Sequence, residues 1–269
     1  MPDWEGLLKQ AREDVLCAVD IWSSILKETF GSRLEYAYAK GSALKQWDTF
    51  VDYVPVLSDL DMHIMLRDSD DMFPNDADGF ASSIDVARKF EERFPTKRPD
   101  HLHFPRAQIV HLNPNLDNDF FILPQVSEVH VMVGTPKDGP IQTEEELRKQ
   151  DLSRIRDMSE YIEDLPRQAV DRVGLDFWTL LRRMSWRVSP SPVRILSQVH
   201  RSVHEVWTWN RTRVTKELRN YNYHNIADSY QNYYKKGWEL FLSGFSDYSK
   251  LREIVTHGYA VLRGCLDSV

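Results

Sequence analysis

Cysteine is scarce in this 269-residue chain: Cys17 and Cys265 are the only two. Two thiols build neither a disulfide framework nor a four-thiolate zinc centre. Nothing in the sequence therefore demands an oxidising compartment. Long apolar runs are missing as well. Stretches such as 120–123 and 131–133 fall far short of the ~20 residues a membrane-spanning helix needs. The opening residues, Met1-Pro2-Asp3-Trp4-Glu5, are polar and acidic, which predicts no signal peptide. There is no internal repeat and no low-complexity tract. The expectation is a soluble, cytoplasmic protein with no membrane partner.

What is present is a globular composition. Apolar residues make up 42% and charged residues 28%, which excludes a disordered or fibrous chain. The length suits one large domain or two modest ones. The net charge is −7, which argues against indiscriminate nucleic-acid binding. That total conceals an asymmetry. Residues 1–166 hold 18 Lys/Arg against 32 Asp/Glu, residues 167–219 hold 11 against 4, and residues 220–269 hold 5 of each. Such a swing suggests two units with different tasks. The basic stretch is either a solvated helix face or a wall for a polyanionic ligand.

Periodicity predicts a helix over 3–29, with Leu7, Ala11, Val15, Val19, Trp22 and Leu26 on one side and Gly31 as its stop. Residues 34–39 alternate as a strand that ends at Gly41-Ser42. A second strand centres on Leu60, Met62 and Ile64. An acidic loop, 68–79, leads to a helix over 83–94 capped by Ser82 or Ser83. Strands are expected at 107–112 and 128–133, with a further one at 120–123. Thr143 followed by three glutamates marks a helix start. Beyond Pro166 the pattern turns helical: long helices over 167–188 and 193–223, then a shorter pair over 226–242 and 246–266. The expected fold class is α+β, a small mixed-sheet domain (30–165, after an N-terminal helix over 1–29) followed by an all-helical bundle domain (166–269).

The chemistry concentrates in two patches, Ala39-Lys40-Gly41-Ser42 and Ser58-Asp59-Leu60-Asp61-Met62-His63. Strand alternation puts Asp59, Asp61 and His63 on one face, with the two aspartate Cα atoms about 6.6–7 Å apart. Two carboxylates so close repel one another, and a bound divalent cation removes that cost. Oxygen donors suit Mg²⁺ or Mn²⁺ held jointly with substrate phosphates. A glycine lets backbone N–H groups approach a phosphate. Read without a ligand, the same residues are a turn and the solvent face of an edge strand.

These patches resemble the DNA polymerase β-like nucleotidyltransferase superfamily, in particular its small prokaryotic, aminoglycoside-type members. Its signature is hydrophobic-Gly-Ser, a spacer, then Asp-hydrophobic-Asp. The resemblance implies that Gly41 and Ser42 hold the triphosphate of an NTP, with Lys40 or Lys45 adding charge, and that Asp59 and Asp61 bind the metals as catalytic residues. It implies transfer of an NMP to an acceptor hydroxyl with release of pyrophosphate. Two features depart from the pattern. Sixteen residues separate Ser42 from Asp59, against the usual nine to thirteen or so, and the surplus around Trp47–Val54 is expected to form a loop beside the active site. The third carboxylate of the family aligns with Gln108, whose amide takes no proton from a hydroxyl. Glu128, with His130 on its face, is a substitute, as are Asp117 and Asp119.

In the helical part, Arg219-Asn-Tyr-Asn-Tyr-His224 resembles the Arg-Asn-x-x-x-His motif of HEPN-type domains. It implies a metal-independent ribonuclease in which His224 moves a ribose proton and Arg219 holds the phosphate. A non-catalytic nucleotide-binding protein is a third reading. The aromatic residues of this part are expected to be mostly core. His101/His103 and His200/His204 have no third metal ligand in sight. The acceptor and the nucleobase stay unidentified, and a homodimer is compatible with the sequence.

Overall fold

The computed structural model describes residues 2–68, 71–116, 121 and 123–269. Asp117 and Asp119 lie outside the described residues, as does part of the strand expected at 120–123. The fold is α+β, and the chain divides into two compact units. One comprises Met1–Lys45 with Asp59–Ile141; the other comprises Gln46–Ser58 with Gln142–Val269. The division falls at Ile141/Gln142 instead of near residue 166, and the spacer 46–58 groups with the helical unit.

The first unit opens with helix α1 (Trp4–Phe30), which Gly31 ends at a φ of 49°. Strand β1 (Leu34–Lys40) follows, then β2 (Leu60–Leu66), helix α2 (Ala77–Lys97), β3 (Ala107–His111) and β4 (His130–Gly134). The sheet order is β3-β2-β1-β4. β1 runs antiparallel to both β2 and β4, whereas β2 and β3 are parallel and joined through α2. Parallel neighbours require such a crossover. Ala37, Ala39, Met62 and Ile64 occupy one face of the two central strands and are fully buried. Tyr36, Tyr38 and Met65 occupy the other, clustered with Leu112 and packed by Phe121, Leu123 and Val129.

Two expectations in this unit are corrected. Helix α2 begins six residues early, because Asp76, not Ser82 or Ser83, caps it by accepting the Gly79 N–H at 2.7 Å. Glu128 precedes β4 in a short 3₁₀ turn, and its carboxylate accepts the Gln125 N–H at 3.3 Å. Buried Asp14 on α1 ties the segment after α2 to this unit. Its carboxylate accepts the N–H groups of Leu102 (2.8 Å) and His103 (3.0 Å) and pairs with Arg98. Burial opposes its ionisation, yet the bonds from His103 and Leu102 hold the carboxyl below its ordinary range.

The second unit is helical: α3 (Glu144–Arg156), α4 (Ser159–Asp171), α5 (Phe177–Val188), α6 (Ser191–Val199), α7 (Val203–Thr208), α8 (Arg211–Asn220), α9 (His224–Leu242) and α10 (Tyr248–Leu266). Thr143 caps α3 in a reciprocal box with Glu146, as its sequence announces. The long helix expected over 167–188 is broken at 172–176, where Gly174 adopts a φ of 59°. The one expected over 193–223 is three helices. Ser202 caps α7 and Asn210 caps α8, accepting the N–H groups of Glu205 and Arg213. Such side chains compete for backbone donors and so start new helices. Of the aromatic residues, Tyr230, Tyr233, Tyr234 and Trp238 are core, at most 2% exposed, whereas Trp186, Trp207, Phe245, Tyr248 and Tyr259 are exposed, fewer core aromatics than expected.

Segment 46–58 packs within this unit. Arg211 donates to the carbonyls of Val51 and Asp52 and to Ser58 Oγ at 3.0–3.3 Å. Asp52 accepts from the Thr212 N–H and hydroxyl and from the N–H groups of Asp48 and Thr49. Trp238 Nε1 donates to the carbonyls of Phe50 and Tyr53. The surplus residues of the spacer therefore have a structural use. Both cysteines are free and buried. Among the described residues no helix is long and apolar enough to cross a membrane.

Candidate nucleotide site

The site is built where β1 and β2 meet. Lys40 is the last residue of β1, and the chain turns at Gly41 with a φ of 88°. The N–H groups of Leu44 and Lys45 return to the Gly41 carbonyl at 3.1 and 3.3 Å. Arg12, from α1, holds the outer side of this turn. Its guanidinium donates to the carbonyls of Ala43 (2.7 Å), Lys45 (3.0 Å) and Leu44 (3.3 Å). Ser42 and Lys45 are half-buried on this pinned turn.

The cross-strand register places Lys40 opposite Asp61 on one side of β2 and Gln108 opposite Asp61 on the other. A basic side chain, a carboxylate and an amide thus share one row of one sheet face. A Cβ built on Gly41 would lie 2.4 Å from Asp61 Oδ2, so the carboxylate occupies the space a side chain would fill. Asp59 is the residue just before β2 and is nearly buried, at 8% exposure, whereas Asp61 is half-buried. Arg106, at the foot of β3, forms an ion pair with Asp59, and its carbonyl accepts the Leu60 N–H at 2.8 Å.

Electrostatics join these groups. Burial lowers the affinity of Lys40 for its proton, while Asp61 and Glu128 oppose that shift. Glu128 therefore lies within electrostatic reach of the row, although it is exposed and outside the strand. His63, two residues on from Asp61, is buried against Tyr38, with ring centroids 5.0 Å apart. Burial first, and Lys40 second, push its imidazole down to about 3. His130 pairs with Ala39, which puts it on the opposite sheet face from Asp61. It does not share a face with the aspartates.

Asp59 and Asp61 are the carboxylates of this corner that could serve a divalent cation as oxygen donors. Mg²⁺ takes one or two carboxylates and completes its shell with water and substrate phosphates. The pair fits that partial donor set, with Arg106 as the competitor at Asp59. Among the described residues no group of three or more His, Cys, Asp or Glu stands together to form an all-protein cage.

The other motifs are distributed elsewhere. Arg219, near the end of α8, pairs with Asp228 at 2.6 Å and donates to Gln231 at 3.0 Å. His224 is the exposed first residue of α9, after a turn in which Asn222 has a φ of 64°. His200 and His204 are not on one helix: His200 ends α6, and His204 Nε2 lies 3.0 Å from the Gln142 carbonyl oxygen. His103 is engaged by Asp14. Arg12 and Arg106 were not legible as site residues. Arg12 acts across 31 residues of chain, and Arg106 is positioned by a parallel register that no local pattern announces. Comparison with known protein families, curated proteins and solved structures finds no match to this chain.

Proposed function

We propose that the chain is a metal-dependent nucleotidyltransferase that moves an NMP from an NTP to an acceptor hydroxyl. One observation carries this reading: the strand-ending Gly41 is packed against the Asp61 carboxylate, with no room for a side chain between them. A phosphate drawn to the backbone at Gly41-Ser42 would meet a carboxylate-held cation at close range. Asp59 and Asp61 would hold Mg²⁺, which when bound supplies charge for the phosphates. Ser42 and Lys45 sit on the turn that would receive the triphosphate, and Arg12 holds that turn in place. The acceptor oxygen bonds to the α-phosphorus, the bond to the β-phosphate bridge breaks, and pyrophosphate leaves. Glu128, which acts electrostatically on Lys40, is the carboxylate that would accept the hydroxyl proton.

Calorimetric titration with NTP and Mg²⁺ tests the reading. Saturable, Mg²⁺-dependent binding that disappears in Asp61→Ala supports it, and wild-type protein without metal-dependent NTP affinity sinks it.

Gln108 beside Asp61 and Arg106 on Asp59 favour a second reading, nucleotide binding without turnover. An amide is no base, and a guanidinium already offsets one carboxylate. A pyrophosphate-release assay over a set of acceptors separates the two readings; detected release removes the second.

A further inference from the structure

The helical unit carries a cluster that this function does not use. Tyr161, on α4, has a buried hydroxyl with no hydrogen-bond partner. Arg187, on α5, stacks its guanidinium 4.0 Å above the Tyr161 ring. Arg183 and Arg172 also act on Tyr161, and no carboxylate is among the charges that do. Among the described residues, neither Arg183 nor Arg187 is ion-paired with a carboxylate. On the same helix as Tyr161, Asp164 is engaged by Arg167 and Gln168 and also acts electrostatically on Arg172. Three cations and one orphaned hydroxyl therefore act on one another here; Asp164 reaches Arg172 electrostatically, while among the described residues no carboxylate pairs with Arg183 or Arg187.

A buried hydroxyl without a partner is costly, and structures usually satisfy such groups. Burial pushes the Tyr161 phenol up more strongly than the arginines pull it down. It therefore keeps its proton and offers a donor. Guanidinium groups match oxyanions, phosphate above all. Trp186, next to Arg187 in the sequence of α5, is 52% exposed. Aromatic rings next to basic side chains are the means by which bases and phosphates are bound together.

We propose that the α4–α5 face is a nucleotide-phosphate site, in which a phosphate oxygen accepts from Tyr161 and Arg172, Arg183 and Arg187 supply the charge. The phosphate belongs to a free nucleotide or to a single RNA strand; the chemistry is shared, and the test separates the two sources.

The experiment is fluorescence anisotropy of the full chain with a short labelled single-stranded RNA, in EDTA to silence any metal-dependent site, with ATP as competitor. The wild type is expected to bind saturably. Arg183→Glu/Arg187→Glu is expected to weaken binding by at least about tenfold, since each lost phosphate contact is a lost electrostatic anchor. Tyr161→Phe, which preserves the ring, is expected to weaken it by about threefold with an unchanged melting temperature. Should the charge reversal impair folding, Tyr161→Phe decides. Asp59→Asn/Asp61→Asn is expected to bind as the wild type does, so failure of the nucleotidyltransferase reading leaves this site standing. Displacement by ATP supports a free nucleotide as ligand, and RNA binding that ATP does not displace supports a strand. Absence of saturable binding, equal affinities for wild type and Tyr161→Phe, or loss only in the aspartate variant overturns the proposal.

Discussion

Gly41 and Asp61 are in such close apposition that the Asp61 Oδ2 atom lies 2.4 Å from where a Gly41 Cβ would stand. The backbone at Gly41 is also left-handed, at a φ of 88°. Both facts require glycine: one by space, the other because an L side chain is strained there.

Gly41→Ala should therefore do two separable things. The left-handed backbone should cost about 1–2 kcal/mol of stability. The displaced Asp61 carboxylate should lower Mg²⁺-dependent NTP affinity by roughly tenfold or more, since each ~1.4 kcal/mol is a factor of ten. Thermal unfolding and calorimetry read the two effects. Unchanged NTP affinity in a folded variant would show that this corner is not the nucleotide site.

Arg211 is buried under the Tyr234 ring, 4.1 Å from its centroid, and satisfies two carbonyls and a hydroxyl of segment 46–58. Arg211→Met keeps much of the volume and removes every one of those donors. Stranded buried acceptors cost about 1–3 kcal/mol each, so a loss of about 3 kcal/mol is expected. Urea denaturation measures it. A loss below the error of the method would mean that the segment is held by its other bonds, those of Trp238, Asp52, Thr212 and Asn210 among them.

His63 sets a pH dependence. Its imidazole is pushed from 6.5 to about 3 in the folded chain by burial and by Lys40. The unfolded chain binds a proton as pH falls through 6.5, and the folded chain does not until about 3. Stability linked to this group is thus complete above pH 6.5 and declines as pH drops through that window. His63→Phe keeps a ring against Tyr38 and removes the titration. Its stability should fall less steeply than that of the wild type between those pH values, by on the order of 3 kcal/mol at the acid end. Denaturation curves at a series of pH values supply the comparison, and parallel declines would refute it.

The first helix, β1, β2 and the glycine corner were legible because each is written in local periodicity. Leu34–Lys40 and Leu60–Leu66 alternate, α1 keeps a helical stripe, and the Thr143 cap is spelled out by Glu146. The helix breaks at 172–176 and at Ser202 and Asn210 escaped the same reading. An apolar stripe resumes after each break, so periodicity alone runs through it, whereas the capping side chains redirect the backbone. What the spacer packs against is not legible locally for a similar reason. Its partners, Arg211 and Trp238, lie more than 150 residues downstream.

Sequence alone determined that Asp61 and His63 share a strand face and that a glycine stands at the end of the preceding strand, because a two-residue period and a missing Cβ are local properties. Tertiary structure decided the company the carboxylates keep: Arg106 at Asp59, Gln108 and Lys40 flanking Asp61, and Arg12 holding the turn. β3 comes to lie beside β2 through α2, a 21-residue crossover that packs against α1, with Phe90 stacked on Trp22. That packing is a sum over many distant side chains, and no short stretch of the chain encodes it.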